Sequence, residues 1–527
     1  MPDQPRPSGR QLLARADFMA RAVFARLVAD DELAELSGSR RVSLLGPAIS
    51  GLVGLLAVLW GSVQSGSPFS LQQPGAWFFG TAGAGKPTSS LGVLVTWAGL
   101  IVVVRAWLDL VHRVRASPGI AVARVGVVAA LWCVPLLVGP VLFSRDVYSY
   151  AAQGQLYLAG MSPYRFGVAF LGPASFARFV DSVWQTTPAP YGPAFLWLAA
   201  RVAWASASHV AWSVVGFRLL ALAGVGVAAS ACTALARSHG ADRALVIALS
   251  VANPLVLFGL VSAAHNDALM IAFICLAATL AYSGRYFLAV VAAAVGAAIK
   301  APAALAVVFV AWSWTGRGEG IRHRIRPLVT AAMILVGILG LVGRITHLGW
   351  GWLPALGYPG HTRNILTPTD LAAQVLAWLS SHVGLTTSFA GWLTFTRVLG
   401  GILAALACGW LLWNSERLGL AYSLGLALLA VVLLGPVIQP WYFTWAFLLL
   451  APSGGALARR LLGLFTVAGV FFWLWQDTWA SLSPWGQVGL VVVSILGGLF
   501  LTRPGSFRRL RSIVQSASRE DVLIRQP

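Results

Sequence analysis

RALVIALSVANPLVLFGLVSAAHNDALMIAFICLAATLAYSGRYFLAVVAAAVGAAIKAPAALAVVFVAWSWT, residues 243–315, runs apolar from end to end and is punctuated only at short polar points: His265-Asn266-Asp267, Arg285 and Lys300. A bilayer asks for about 20 predominantly apolar residues per crossing helix. Spans are therefore expected near 243–263, 267–284, 286–300 and 301–315. The last two hold about 15 residues each, too few to cross unaided, with Lys300-Ala301-Pro302 as their turn, sunk below the outer surface.

The same texture extends in both directions, with spans expected near 42–64, 90–112, 121–143, 213–236, 327–345, 390–413, 417–435, 442–456, 460–476 and 485–502, roughly 14 crossings in all. The 527 residues are 58% hydrophobic and 10% charged, with a mean hydropathy of +0.77, well beyond a soluble domain. The fold class expected is an all-α polytopic membrane protein. Residues 1–41 read as a cytoplasmic basic segment, 42–502 as one multi-span membrane domain and 503–527 as a cytoplasmic tail. No internal repeat of fixed period and no low-complexity linker divides the chain.

Net charge is +20, but the excess sits in short segments between apolar runs, so it reads as a topology signal and not as a nucleic-acid footprint. Arg113, Arg115 and Arg124, Arg237 with Arg243, Arg285, the cluster Arg317 to Arg326, Arg417, Arg459 with Arg460, and both termini fall on one side of the alternation. By the positive-inside rule that side is cytoplasmic; Arg344 and Arg397 fall toward the other. Residues 192–208 are apolar but carry Arg201, and a crossing there would invert every later loop, so a re-entrant or interface-lying helix is expected. No signal peptide is expected at residues 1–41, which form either an amphipathic helix on the inner leaflet or a disordered basic tail. Cys133, Cys232, Cys275 and Cys408 lie inside apolar runs without metal-binding spacing and are expected as free, buried thiols.

With this topology one compartment receives most of the remaining polar chemistry: Arg145, Asp146, Tyr148 and Tyr150; Tyr164 and Arg165; Tyr191-Gly192-Pro193; His265-Asn266-Asp267; Lys300; the loop with Trp350, Trp352, His361, Arg363 and Asn364; Gln439-Pro440-Trp441-Tyr442; and Gln476-Asp477. Acidic residues number only 17, and an acid near lipid depth is costly unless paired or open to water. Asp146 could act as a general base toward a hydroxyl; the competing readings are a salt bridge with Arg145 or a helix N-cap. His265-Asn266-Asp267 is pinned to the bundle rim by a short connection, and the bland reading is a polar turn capping the next helix; as a zinc motif it supplies too few ligands. Lys300 would suit a phosphate at the membrane surface, against simple snorkelling. Arg363, with His361 beside it, could clamp phosphate as a forked donor, against a solvated loop arginine. Trp441 and Tyr442 could stack on a sugar ring, against an aromatic belt.

Taken together, SRDVYSYAAQGQLYLAGMSPY, TPAPYGP, AAHNDALM, AIKAPAAL and QPWYFTWAFLLLAP resemble the actinobacterial polyprenyl-phosphomannose-dependent alpha-1,6-mannosyltransferases of lipomannan and lipoarabinomannan synthesis, over about residues 40–500. The resemblance implies a GT-C-like bundle in the plasma membrane whose site faces outward. It also implies a polyprenyl-phosphate-mannose donor, a mannan or lipomannan acceptor attacked through its 6-hydroxyl, and inversion at the anomeric carbon. Asp146 would be the base, with Asp267 as its alternative, because the general fold places its acid after the first span and here Asp146 follows the third. Lys300, Arg363 and His361 would hold the donor phosphate; Tyr148, Tyr150, Tyr191, His265, Asn266, Gln439, Trp441 and Tyr442 would line the sugar and acceptor pocket. No cofactor, no essential metal and no nucleic-acid partner are expected. The rivals are a glycolipid transporter or flippase, which would show inverted repeats, and a non-catalytic scaffold.

Overall fold

A computed structural model describes residues 42–63, 90–172, 175–316, 318–358, 367–383 and 388–479, and every regular element among them is helical. The expected amphipathic N-terminal helix, the span near 485–502, the C-terminal tail, His361, Arg363 and Asn364 lie outside the described residues. In chain order the principal helices are α1 (Leu45–Ser62), α2 (Ser90–Ala116), α3 (Val122–Val138), α4 (Asp146–Leu158), α5 (Pro193–Ala205), α6 (Val210–Ser238) and α7 (Arg243–Leu249). After a π-helix, Val256–Ser262, follow α8 (Asp267–Tyr282), α9 (Tyr286–Ile299), α10 (Ala304–Ser313), α11 (Ile321–Ile345), α12 (Pro368–His382), α13 (Phe389–Trp413), α14 (Leu420–Leu434), α15 (Thr444–Ser453) and α16 (Ala456–Trp479).

Among the described residues five helices are long and apolar enough to cross a membrane: Leu45–Ser62, Val95–Ala116, Val210–Ser238, Ile321–Ile345 and Phe389–Trp413. The spans expected near 121–143, 286–300, 301–315 and 417–435 are shorter apolar helices, and 192–208 holds the 13-residue α5. The span expected at 243–263 is two pieces. Pro254 lacks an amide hydrogen and cannot continue α7, while Asn253 Oδ1 accepts the Leu255 amide at 2.9 Å and restarts the chain. The resulting π-helix and α8 together are long and apolar enough to cross but are bent by 113°, the geometry of a broken span or a re-entrant loop.

The helices sort by exposure. α8 is the centre: its residues are apolar around the circumference, as suits a helix enclosed on all sides, and it packs on α6 and α9. α11 lies outside, and Ile325, Val329, Met333 and Val336 are each more than half exposed, the surface that lipid tails would cover. Close helix approach is set by small residues: α1 and α2 meet at Gly54 and Gly99, where a Cβ on either would come within 2.9 Å of the other's carbonyl oxygen. Arg397, one of the two exceptions to the charge rule, is held inside by Asp370, with Nε and Nη2 each 2.9 Å from a carboxylate oxygen. An ion pair of this kind removes a charge from topology bookkeeping. Of the cysteines, Cys133, Cys232 and Cys275 are buried and free, whereas Cys408 is only half-buried.

Candidate active site

The bend between the π-helix and α8 is the structural origin of the site. Breaking a helix in an apolar medium strands backbone carbonyls that must find donors, and π-turns recur at functional positions. His265 fills one vacancy: its Nδ1 lies 2.6 Å from the Gly259 carbonyl. A carbonyl only accepts, so Nδ1 carries the hydrogen and Nε2 points the other way. Nε2 meets Ser144 Oγ at 3.0 Å and Asp146 Oδ2 at 3.5 Å. The indole of Trp441 stacks on the imidazole, ring centres 3.7 Å apart.

Arg218 fills the other vacancies. Its fully buried guanidinium donates to the carbonyls of Ser262 (2.9 Å), Leu137 (3.1 Å), Gly139 (2.6 Å) and Pro140 (3.0 Å). One side chain thus ties the end of α3, which leads into Asp146, to the end of the π-helix, which leads into His265. Both segments also carry a non-glycine residue in the left-handed region, Phe143 at φ 63° and Ala264 at φ 54°. Such strain persists only where the surroundings over-determine it, and it collects at functional sites.

Asp146 is the first residue of α4, and its amide donates to Ser144 Oγ at 3.2 Å. Neither rival reading of Asp146 is observed among the described residues: α4 has no side-chain cap bond, and no ion pair joins Asp146 to Arg145, whose buried Nε finds no hydrogen-bond partner. The Asp146 side chain keeps 24% exposure, against 0% for His265.

Asp267 opens α8 in a different environment. Its carboxylate is fully buried, receives Lys300 Nζ at 2.8 Å on both oxygens and takes the Trp445 indole N–H at 2.6 Å. The Lys300 ammonium also sits 4.8 Å from the Tyr442 ring centre, 5.5 Å from Trp445 and 5.9 Å from Tyr191, an aromatic cage of the cation–π kind. Tyr191 reaches Lys300 because Gly192 rests on the end of α9: its amide donates to the Ile299 carbonyl at 3.0 Å, and a Cβ there would fall 2.1 Å from the Ala298 oxygen. Tyr164 donates to the Tyr191 carbonyl at 2.8 Å and, with Trp352 from the short helix Trp352–Ala355, covers this corner.

The structure therefore brings Asp146, His265, Asn266, Asp267, Lys300, Tyr150, Tyr191, Trp441 and Tyr442 into one constellation. Tyr150 packs edge-on against Tyr191 at 5.2 Å and reaches Asn266 Oδ1 at 3.5 Å. Both carboxylates lie near enough to Tyr191 to add to the effect of burial, which pushes its hydroxyl up and keeps it a neutral donor. Tyr148 packs against Phe179 at 5.8 Å on the neighbouring 3-10 turn, and half-buried Gln439 precedes the turn that carries Trp441 and Tyr442. His265-Asn266-Asp267, expected at the rim, is wholly buried, because the bend carries it inward. No group of three or more His, Cys, Asp or Glu side chains is arranged to hold a metal ion among the described residues.

Sequence reasoning passed over Arg218, Trp445 and Ser144. Arg218 had a signal, an arginine well inside an apolar run that is long enough to span; Trp445 and Ser144 had none.

Residues 48–316 match the model of the family described as "Alpha-(1->6)-mannopyranosyltransferase, N-terminal domain", and residues 368–502 match the "MptB C-terminal domain". The chain is 30% identical to a probable alpha-(1->6)-mannopyranosyltransferase of Mycolicibacterium smegmatis, over 94% of this chain and 95% of the relative. It is 32% identical to alpha-(1->6)-mannopyranosyltransferase A of Mycobacterium tuberculosis, over 81% and 83%, and 26% identical to alpha-(1->6)-mannopyranosyltransferase B of Corynebacterium glutamicum, over 78% and 73%. No solved structure matches the chain. The first family model contains both carboxylates, Lys300 and the arginine brace within its bounds, and the chain belongs to the actinobacterial alpha-(1->6)-mannosyltransferases, membrane-embedded glycosyltransferases that transfer mannose.

Proposed function

We propose that the chain moves mannose from polyprenyl-phosphate-mannose to the 6-hydroxyl of a mannan or lipomannan acceptor on the outer face of the plasma membrane, with inversion and with Asp146 as general base. One observation carries this reading: of the two carboxylates in the site, Asp267 is fully buried and neutralised by Lys300, whereas Asp146 keeps 24% exposure and faces only His265 among its ion-pair partners. A base must reach the proton it removes. The arginines that cluster at one end of the apolar runs, read by the positive-inside rule, support an outward site.

In the proposed step the acceptor O6 attacks the anomeric carbon of a beta-mannosyl phosphate from the face opposite the phosphate. The O6 proton passes to an Asp146 carboxylate oxygen, the new C1–O6 bond forms as alpha, and the C1–O phosphate bond breaks with its electron pair leaving on polyprenyl phosphate. Base catalysis of this type contributes roughly 10²–10⁴-fold. Charge on the leaving phosphate needs cations placed in advance. Lys300 spends two hydrogens on Asp267 and has one left. Arg145, with its unpartnered Nε beside Asp146, is the better placed of the two, and Arg363 and His361 of the outer loop would complete the clamp. Asp267 acts on Lys300 and is a positioning residue. Tyr148, Tyr191, Gln439 and Tyr442 would contact the sugars, together with Asn266, whose buried Nδ2 also has no partner among the described residues, while the fully buried Tyr150 would hold Tyr191 and Asn266 in place.

The test is an assay of membranes holding the full chain, with radiolabelled polyprenyl-phosphate-mannose and a short alpha-1,6-mannoside. The expected product is one residue longer, alpha-1,6-linked, and absent when GDP-mannose is the only donor. Extension by GDP-mannose without any polyprenyl phosphate would overturn the donor assignment.

A further inference from the structure

We propose that a basic cleft at the opposite end of the α9–α10 hairpin from Lys300 binds the phosphate headgroup of an acidic membrane lipid. α9 begins at Tyr286 and ends at the site; α10 turns back. At 1.5 Å per residue the thirteen steps from Phe287 to Lys300 span about 20 Å, so the cleft lies toward the other membrane boundary.

The cleft has a volume of about 820 Å³ between Phe287 of α9, Trp314 and Thr315 beyond α10, and Arg322, Arg326 and Thr330 of α11. Arg322 and Arg326 are one helical turn apart and share a face. Both are exposed. Arg324 between them is turned away, buried against the Trp312 carbonyl and Glu416. The lining also holds one acid, Glu319, which lies 3.3 Å from His323 Nδ1, and among the described residues no ion pair joins it to Arg322 or Arg326. Two guanidinium forks therefore remain for an anion, and their planar donors match phosphate.

Two further observations point to a ligand. The Thr315 hydroxyl oxygen is buried and has no hydrogen-bond partner among the described residues, and a buried polar atom left alone asks for one. The walls are also amphipathic. Trp314 stacks with Tyr286 at 6.2 Å, Phe287 is 56% exposed, and Ile325, Val329 and Met333 continue down α11 beside the basic face. Aromatic rings mark the headgroup level, and basic pockets between helices at that level select acidic lipids. A free phosphate would use the guanidinium forks but would leave the apolar continuation bare.

The test uses the full chain in mixed micelles, with native mass spectrometry to count retained lipid and a titration to measure affinity. Phosphatidylglycerol is compared with phosphatidylcholine and with inorganic phosphate. The expected result is retention of phosphatidylglycerol over phosphatidylcholine, on the order of tenfold weaker in Arg322→Gln/Arg326→Gln. Because the double variant can lose its fold, Thr315→Val is measured beside it, with roughly fivefold weaker binding expected for one lost hydrogen bond. Equal retention of the two lipids, unchanged affinity in folded variants, or displacement of the lipid by inorganic phosphate at equal concentration would overturn the proposal.

Discussion

Asp146 and Asp267 each stand as the first residue of a helix, each after a break in an apolar run, yet the structure treats them in opposite ways. Around Asp267 everything is closed: Lys300 takes both oxygens, Trp445 takes one again, and no surface is left. Around Asp146 the contacts are longer and one-sided, with Ser144 and His265 behind it and an exposed edge in front. An acid at a helix start is therefore no assignment of role. What separates a base from a brace is whether a cation on another helix has already claimed the carboxylate.

The comparison is broken most directly at Asp146. Asp146→Asn keeps size and hydrogen bonding and removes the basic oxygen, so mannose transfer is expected to fall by about 10²–10⁴ while the thermal unfolding midpoint stays near wild type. Activity that survives in a folded Asp146→Asn protein would return Asp267 to the candidate role.

At Asp267 the expected loss is of fold. Lys300→Met leaves an unpaired carboxylate in the core, and breaking a buried pair from one side costs about 3–5 kcal/mol. Removing both charges, Asp267→Asn with Lys300→Met, should restore much of that stability, because no buried charge is then stranded. Denaturation of the three variants in one detergent decides the point; a double variant no more stable than Lys300→Met would mean that the pair does not act as a unit.

Arg218 joins the two regions, and its substitution should blur their difference. Arg218→Met strands four carbonyls at once and is expected to destabilise by a few kcal/mol. Arg218→Lys keeps the charge but cannot span all four, so it should fold with kcat reduced about tenfold and KM little changed, as a misplaced Asp146–His265 pair predicts. A rise in KM with unchanged kcat would show that Arg218 serves substrate binding instead.

Much of this was legible: the all-helical membrane class from apolar runs such as residues 243–315, and the family from the five motifs that carry the resemblance, SRDVYSYAAQGQLYLAGMSPY, TPAPYGP, AAHNDALM, AIKAPAAL and QPWYFTWAFLLLAP. The interior of the site was not. Hydropathy predicts a crossing at 243–263, but Asn253-Pro254 and the π-helix break it there, and a π-turn leaves no periodic trace in sequence. Lys300 read as a phosphate ligand because its partner, Asp267, is 33 residues away on another helix, and only packing reveals the pair. Arg218 was readable in principle, as a charge inside an apolar run, but its four carbonyl partners depend on two helix ends that sequence cannot place together.

The smallest expected effect comes at Trp441, whose sequence reading was a sugar platform. One face of its indole is already committed to His265, at 3.7 Å between ring centres, and the residue is 5% exposed. Stacked aromatic pairs contribute about 0.5–1.5 kcal/mol beyond burial, so Trp441→Leu should lower kcat by a few-fold through a looser His265, and Trp441→Phe should recover most of it. KM for the acceptor should hardly move in either variant. If instead KM rises while kcat holds, the indole touches sugar, and the closed side of the site extends less far toward Asp146 than the packing of His265 implies.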